Sequence, residues 1–162
     1  MTDARSPDAI ALQRCCGAKR WVEGMLARRP FDSMAGIHAA ADEVWATMTH
    51  DDYLEAFAHH PRIGENLAEL SQKFGSTAEW ASAEQAGTAN ASEATLLALR
   101  DGNAAYRARF GYSFIVCATG KSASEMLALL QVRLTNEPDH ELAVAAAEQA
   151  KITHLRLEKL ES

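Results

Sequence analysis

Only one stretch of this 162-residue chain, YSFIVCA at 112–118, has the apolar, β-branched and aromatic run of a possible strand. One strand alone has no ladder partner for its N–H and C=O groups, and buried backbone groups must be paired. The segment therefore reads as a buried extended loop or a turn of helix. The rest of the sequence carries helical punctuation. Pro and Gly are sparse, 4 and 9 residues, and Ala is abundant, a composition that favours helix. The fold class that follows is all-α: a compact single-domain bundle of about seven to nine helices over residues 1–162.

The start and stop signals agree along the chain. Residues 8–29 carry Ile10, Leu12, Trp21, Val22, Met25 and Leu26 and run into Pro30. Residues 33–48 place Ile37, Ala40, Ala41, Val44, Trp45 and Met48 on one stripe at helical spacing. Thr49 stands as a cap before a helix that groups Tyr53, Leu54 and Phe57. Gly64 permits a turn, ENLAELSQKF reads as a short helix stopped by Gly75, and Ser76 with Glu79 has capping-box spacing before WASAEQAG. Ser92 is the expected start of the next helix and Gly111 its end. Ser122 with Glu125 is a further capping box, and Pro138 fits the first turn of a last helix reaching about Leu160.

Hydrophobic residues make up 48% of the chain and charged ones 23%, which excludes a disordered polypeptide. A net charge of −6 argues against nucleic-acid binding, which needs a basic face. It leaves room for a small anionic substrate, since one pocket Arg suffices. Cys15 and Cys16 are adjacent and Cys117 lies in an apolar run, so no disulfide framework or CxxC metal spacing is visible. No basic-then-apolar leader opens the sequence, no run is long enough to span a membrane, and the ending KLES is not a peroxisomal address. The expected location is the cytoplasm.

Three places carry residues capable of chemistry. In FAHHPRIGE (57–65), Pro61 forces His60 toward extended backbone, so the preceding helix ends at about His59 or His60. An imidazole at a helix C-terminus is favoured as a cation and is then a proton donor near neutral pH. The plainer reading is a C-terminal cap. In WASAEQ (80–85), Ala81, Glu84 and Gln85 share a helix face, where an acid beside an amide can bind an N–H and C=O pattern. Taken alone, the pair reads more simply as a solvated helix face. Arg156, in ITHLRLEKL, edges an apolar stripe with its head free, or is an ordinary surface Arg. The six His make no HExxH and no i, i+4 pair with a third ligand nearby, so no metal site is expected. No GxGxxG, P-loop or GxSxG occurs, and no cofactor is expected.

In order, HPRIGE (60–65), WASAEQAG (80–87), NAAYRARFGYSFIVCA (103–118) and LRLEKL (155–160) resemble the 2-oxo-4-hydroxy-4-carboxy-5-ureidoimidazoline (OHCU) decarboxylases of urate degradation. The resemblance covers about residues 8–160. It implies an all-α homodimer that needs no metal or organic cofactor and converts OHCU to S-allantoin and CO₂. It implies His60, not His59, and Glu84 as catalytic residues. Pro61, Ala81, Gln85, Arg156 and the main chain of Ile115, Val116, Cys117, Ala118 and Thr119 would contact substrate. The family commonly has Ser where this chain has Ala81, and Ser82 lies about 100° round the helix. One substrate hydrogen bond worth about 0.5–1.5 kcal/mol is thereby removed. The family often has Pro where this chain has Ser113. His60 would donate a proton as CO₂ leaves, with Glu84 helping to keep it protonated. Two other readings are a decarboxylase of another small ureido or imidazoline acid, and a non-catalytic helical interaction module.

Overall fold

The computed structural model describes residues 6–60, 86–117, 119 and 121–161, without the side chains of 86–93 and 161. Seven α-helices lie within these residues: α1 (Ala9–Cys15), α2 (Lys19–Ala27), α3 (Met34–Trp45), α4 (His50–Ala58), α5 (Ala86–Phe110), α6 (Ala123–Arg133) and α7 (Pro138–Glu158), followed by a 3₁₀ turn at Lys159–Glu161. Among the described residues no strand forms, and 113–117 is irregular backbone with Ile115 and Cys117 buried. The all-α class expected from the sequence is the observed one. Among the described residues no helix is long and apolar enough to cross a membrane. The expected short helix before Gly75 and the Ser76–Glu79 box lie outside the described residues. The chain divides into two compact units, one of residues 1–60, 115–117 and 142–162, the other of 61–114 and 118–141.

In the first unit, side-chain caps set three helix starts. The Asp8 carboxylate accepts from the Ala11 N–H at 2.8 Å, and the Ser33 hydroxyl accepts from the Gly36 N–H at 3.0 Å. Thr49 and Asp52 form a reciprocal box, the Thr49 N–H donating to Asp52 Oδ2 at 2.9 Å and the Asp52 N–H to Thr49 Oγ1 at 3.3 Å. The Thr49 N–H holds the Asp52 carboxyl below its usual range, with Arg20 assisting from 2.8 Å. This stabilisation is present at neutral pH and is lost as acid protonates the carboxylate. Leu12, Trp21, Met25, Ile37, Phe57 and Leu157 form the core. The indole N–H of Trp21 donates to the Ala41 carbonyl, and that of Trp45 to the Ala146 carbonyl on α7. Both tryptophans thus bury their rings without stranding a donor.

The stretch 8–29, helical in its spacing throughout, is broken at Cys16, Gly17 and Ala18. Cys16 is extended (φ −152°, ψ 126°). The backbone of Gly17 passes the His59 ring so closely that a Cβ would lie 2.2 Å from Cγ and 2.4 Å from Cδ2. Only glycine fits there, and tertiary contact overrides local helical preference. Helix α3 stops at Trp45, three residues before Met48, which lies in the following turn.

In the second unit, α5 begins six residues before Ser92, which lies inside the helix instead of capping it. An interior Ser costs only a few tenths of a kcal/mol, so the surrounding Ala, Leu and Glu carry the helix through it. Gly111 ends it as expected, at φ +87°, with its N–H donating to the Arg107 carbonyl at 2.8 Å. The Ser122–Glu125 box starts α6. The polar centre of this unit is Glu141, fully buried. Arg133 reaches Glu141 Oε2 through Nε at 2.8 Å and Nη2 at 2.5 Å, and the Tyr106 hydroxyl donates to the same oxygen. Asn136 Nδ2 donates to Oε1 at 3.0 Å. The Arg133 guanidinium also lies 4.5 Å from the Phe114 ring centroid. Burial and the Glu141 contact push the Tyr106 phenol far above its usual range.

Candidate active site

Helix α4 ends where Pro61 requires. His59 is its C-cap, and the His60 N–H still reaches the Phe57 carbonyl at 3.1 Å. The His60 ring is half-buried, and its Nε2 lies 2.5 Å from Oε1 of Gln149 on α7. Gln149 is 1% exposed. Its Nε2 donates to Thr153 Oγ1 at 3.0 Å, and that hydroxyl donates to the Cys15 carbonyl at 3.4 Å. Gln149 and Thr153 are four apart on α7 and therefore share a face. A chain of polar groups thus runs from the candidate imidazole to the end of α1.

His60 opens on a cavity of about 400 Å³ whose lining includes Ile10, Gln13, Arg14, His59 and Arg156. Arg156 Nη1 donates to the main-chain carbonyl of Arg14 at 3.4 Å, one of the carbonyls left unpaired at the end of α1. That contact orients the guanidinium of Arg156 beside the ring. Two arginines make the cavity electropositive and suited to a small carboxylate.

The charge state of His60 departs from the expectation of a resident cation. Burial pulls its pKa below the ordinary 6.5, and the charges of Arg156 and His59 add to that direction. The Gln149 hydrogen bond opposes it without reversing it. The helix C-terminus is outweighed because the ring is taken out of water beside a fixed positive charge.

His60 and Arg156, picked from sequence, line one cavity. Ile115, Val116 and Cys117 belong to the same unit. The Cys117 N–H donates to Glu148 Oε1 at 3.0 Å, so that amide is committed within the protein. Thr119 is exposed and belongs to the second unit. Pro61, Ala81, Glu84, Gln85 and Ala118 lie outside the described residues. Sequence reading passed over Gln149 and Thr153, and over Ile10, Gln13 and Arg14. The signal for the first two was present: Ala145, Gln149, Thr153 and Arg156 recur at helical spacing, with polar residues where core positions were due. Among the described residues, no three His, Cys, Asp or Glu side chains gather as a metal site would need. Cys15, Cys16 and Cys117 are buried, and burial pushes the Cys15 thiol up to about 11 and the Cys16 thiol to about 12.

Comparison with known proteins converges on one family. The sequence model described as OHCU decarboxylase matches residues 5–158. The uric acid degradation bifunctional protein TTL of Arabidopsis thaliana is 37% identical over 146 residues, 90% of this chain and 45% of that protein. The 2-oxo-4-hydroxy-4-carboxy-5-ureidoimidazoline decarboxylase of Haloferax volcanii is 28% identical over 138 residues, 85% of this chain and 79% of that one. The chain thus spans less than half the length of the Arabidopsis relative. A crystal structure of OHCU decarboxylase in the presence of (S)-allantoin superposes with a TM-score of 0.71 at 33% identity, covering 91% of this chain and 94% of that one. With a matching sequence model over nearly its whole length and a matching solved fold, the chain belongs to the OHCU decarboxylase family.

Proposed function

We propose that this chain, acting as one catalytic domain over residues 1–162, decarboxylates OHCU to S-allantoin and CO₂ in urate degradation. The observation that carries the reading is the pairing of a half-buried His60 with Arg156 in one cavity that also holds Arg14. The substrate's carboxylate leaves from a ring carbon next to a C=N bond. The electron pair released with CO₂ passes into that bond, so the substrate serves as its own electron sink and no organic cofactor or metal is required.

The protein's part is binding, orientation and proton transfer. Arg156 binds a carboxylate or carbonyl oxygen with its planar donors. Neutral His60 takes the proton of the substrate's hydroxyl, whose oxygen becomes the product carbonyl, and delivers it to the adjacent ring carbon as CO₂ departs, from one face, which makes a single enantiomer. Pro61, Ala81, Glu84 and Gln85, with main-chain groups of residues 115–119, complete the contacts that the family resemblance implies. The same resemblance supports a homodimer, and the cysteine usage supports a reducing, cytoplasmic location.

The test generates OHCU in place from urate with the two preceding enzyme activities. Its decay is followed by ultraviolet absorbance and circular dichroism. Fast decay to optically active allantoin is expected, and decay at the blank rate would overturn the reading. Arg156→Gln should lower kcat/KM about tenfold to a hundredfold, since a hydrogen bond to a charged group contributes about 1.5–3 kcal/mol.

A further inference from the structure

We infer that Gln149 is a positioning residue for His60: its amide fixes the imidazole as the Nε2–H tautomer and leaves Nδ1 as the atom that exchanges protons with substrate. The inference rests on the catalytic reading of His60 given above.

The direction of the polar chain is set at its far end. The Cys15 carbonyl can only accept. The N–H that would continue α1 toward it, that of Lys19, donates instead to Glu55 Oε1 at 3.0 Å. The Thr153 hydroxyl directs its single proton to this end of α1, where the Cys15 carbonyl lies at 3.4 Å and the Cys16 sulfur also bonds it. Toward Gln149 it can then only accept, so the Gln149 NH₂ faces Thr153 and its carbonyl faces His60. A carbonyl oxygen cannot donate, so the hydrogen between Gln149 and His60 sits on Nε2. In a neutral imidazole the lone pair is then on Nδ1.

Turning the Gln149 amide over would put an N–H₂ group against Nε2 and force Thr153 to donate to Gln149. The Cys15 carbonyl would lose its donor. Gln149 and Thr153 are 1% and 4% exposed, so water cannot make good that loss. The arrangement also suits the reaction. When Nδ1 takes a proton, Gln149 Oε1 keeps its bond to Nε2–H and steadies the cation, and the same proton leaves from Nδ1.

The experiment combines ring nitrogen spectra of ¹⁵N-histidine-labelled protein with steady-state OHCU kinetics. The variants are Gln149→Met, Gln149→Glu, Thr153→Val and His60→Asn. Wild type should show the Nε2–H tautomer. Gln149→Met should show a tautomer mixture and a kcat lower by about tenfold to a hundredfold, with KM changed less than twofold. Gln149→Glu restores an acceptor. It should recover the tautomer and move the acid limb of the pH profile upward, because a carboxylate favours the His60 cation. Arg156 and His59, the charged or titratable groups among the described residues that bear on His60, are unaltered in all of these. Thr153→Val should act in the same direction as Gln149→Met but less strongly, and covers the case in which the Met variant does not fold.

A wild-type ring in the Nδ1–H form would overturn the inference. So would unchanged kcat in Gln149→Met and Thr153→Val alongside an inactive His60→Asn. An active His60→Asn would instead overturn the catalytic reading and with it the kinetic role of Gln149.

Discussion

His60→Asn is expected to lower OHCU turnover by about 10²–10⁴-fold, the range for loss of a positioned acid–base group, while leaving the helical circular-dichroism spectrum unchanged. Asn keeps a donor for Gln149 Oε1 and fits the space at the end of α4, so the loss isolates proton transfer from folding. The pH dependence follows from the same ring. Burial depresses the His60 pKa below 6.5, so the neutral form that accepts a proton persists below that pH. kcat/KM should fall only as the pH drops through that depressed value. The rest of His60's environment makes the same demand on stability. The unfolded chain binds a proton at higher pH than the folded one, so stability declines as pH falls from about 6.5 toward the folded pKa. A plateau in kcat/KM ending above pH 6.5 would contradict the assignment.

Arg133→Met is expected to cost about 3–5 kcal/mol of stability, a large share of the about 5–15 kcal/mol typical of a folded domain. Glu141 is wholly buried and Arg133 is 5% exposed, so removing the guanidinium leaves a carboxylate with no compensating charge. The Tyr106 hydroxyl and Asn136 amide remain as donors, but neither is cationic. Urea unfolding should show a lower midpoint at unchanged slope. Replacing both partners, Arg133→Met with Glu141→Leu, should recover part of the loss, because no buried charge remains, while the buried Tyr106 hydroxyl loses its acceptor. A single variant costing under about 1 kcal/mol would show that the ion pair is not what secures this unit.

These two sites differ in how far the sequence exposes them. The caps at Thr49, Ser122 and Gly111 were legible because each is a local hydrogen-bond or backbone requirement written within four residues. His60 was legible for the same reason, through Pro61. The break at Cys16–Ala18 was not, because its cause is the His59 ring, more than forty positions away in sequence. Ser92 failed as a start signal because a cap residue is only a preference, and α5 has enough helix formers upstream to run past it. The effect of burial on the His60 ring was not legible for a like reason. The helix end is local and visible, whereas burial beside Arg156 depends on where α7 lies. Gln149 and Thr153 were present as a polar stripe at core spacing, yet a stripe acquires a role only when its partner, His60, is placed against it.

The buried thiols have a practical consequence. With Cys15 near 11 and Cys16 near 12, the thiolate fraction at pH 7 is on the order of 10⁻⁴ to 10⁻⁵, and Cys117 is shielded from solvent as well. Maleimide reagents should therefore leave the native chain almost untouched. Ile10 is 64% exposed and lines the His60 cavity. Ile10→Cys would supply the one fast-reacting thiol, and a fluorophore attached there would report ligand entry without any native cysteine having to be removed.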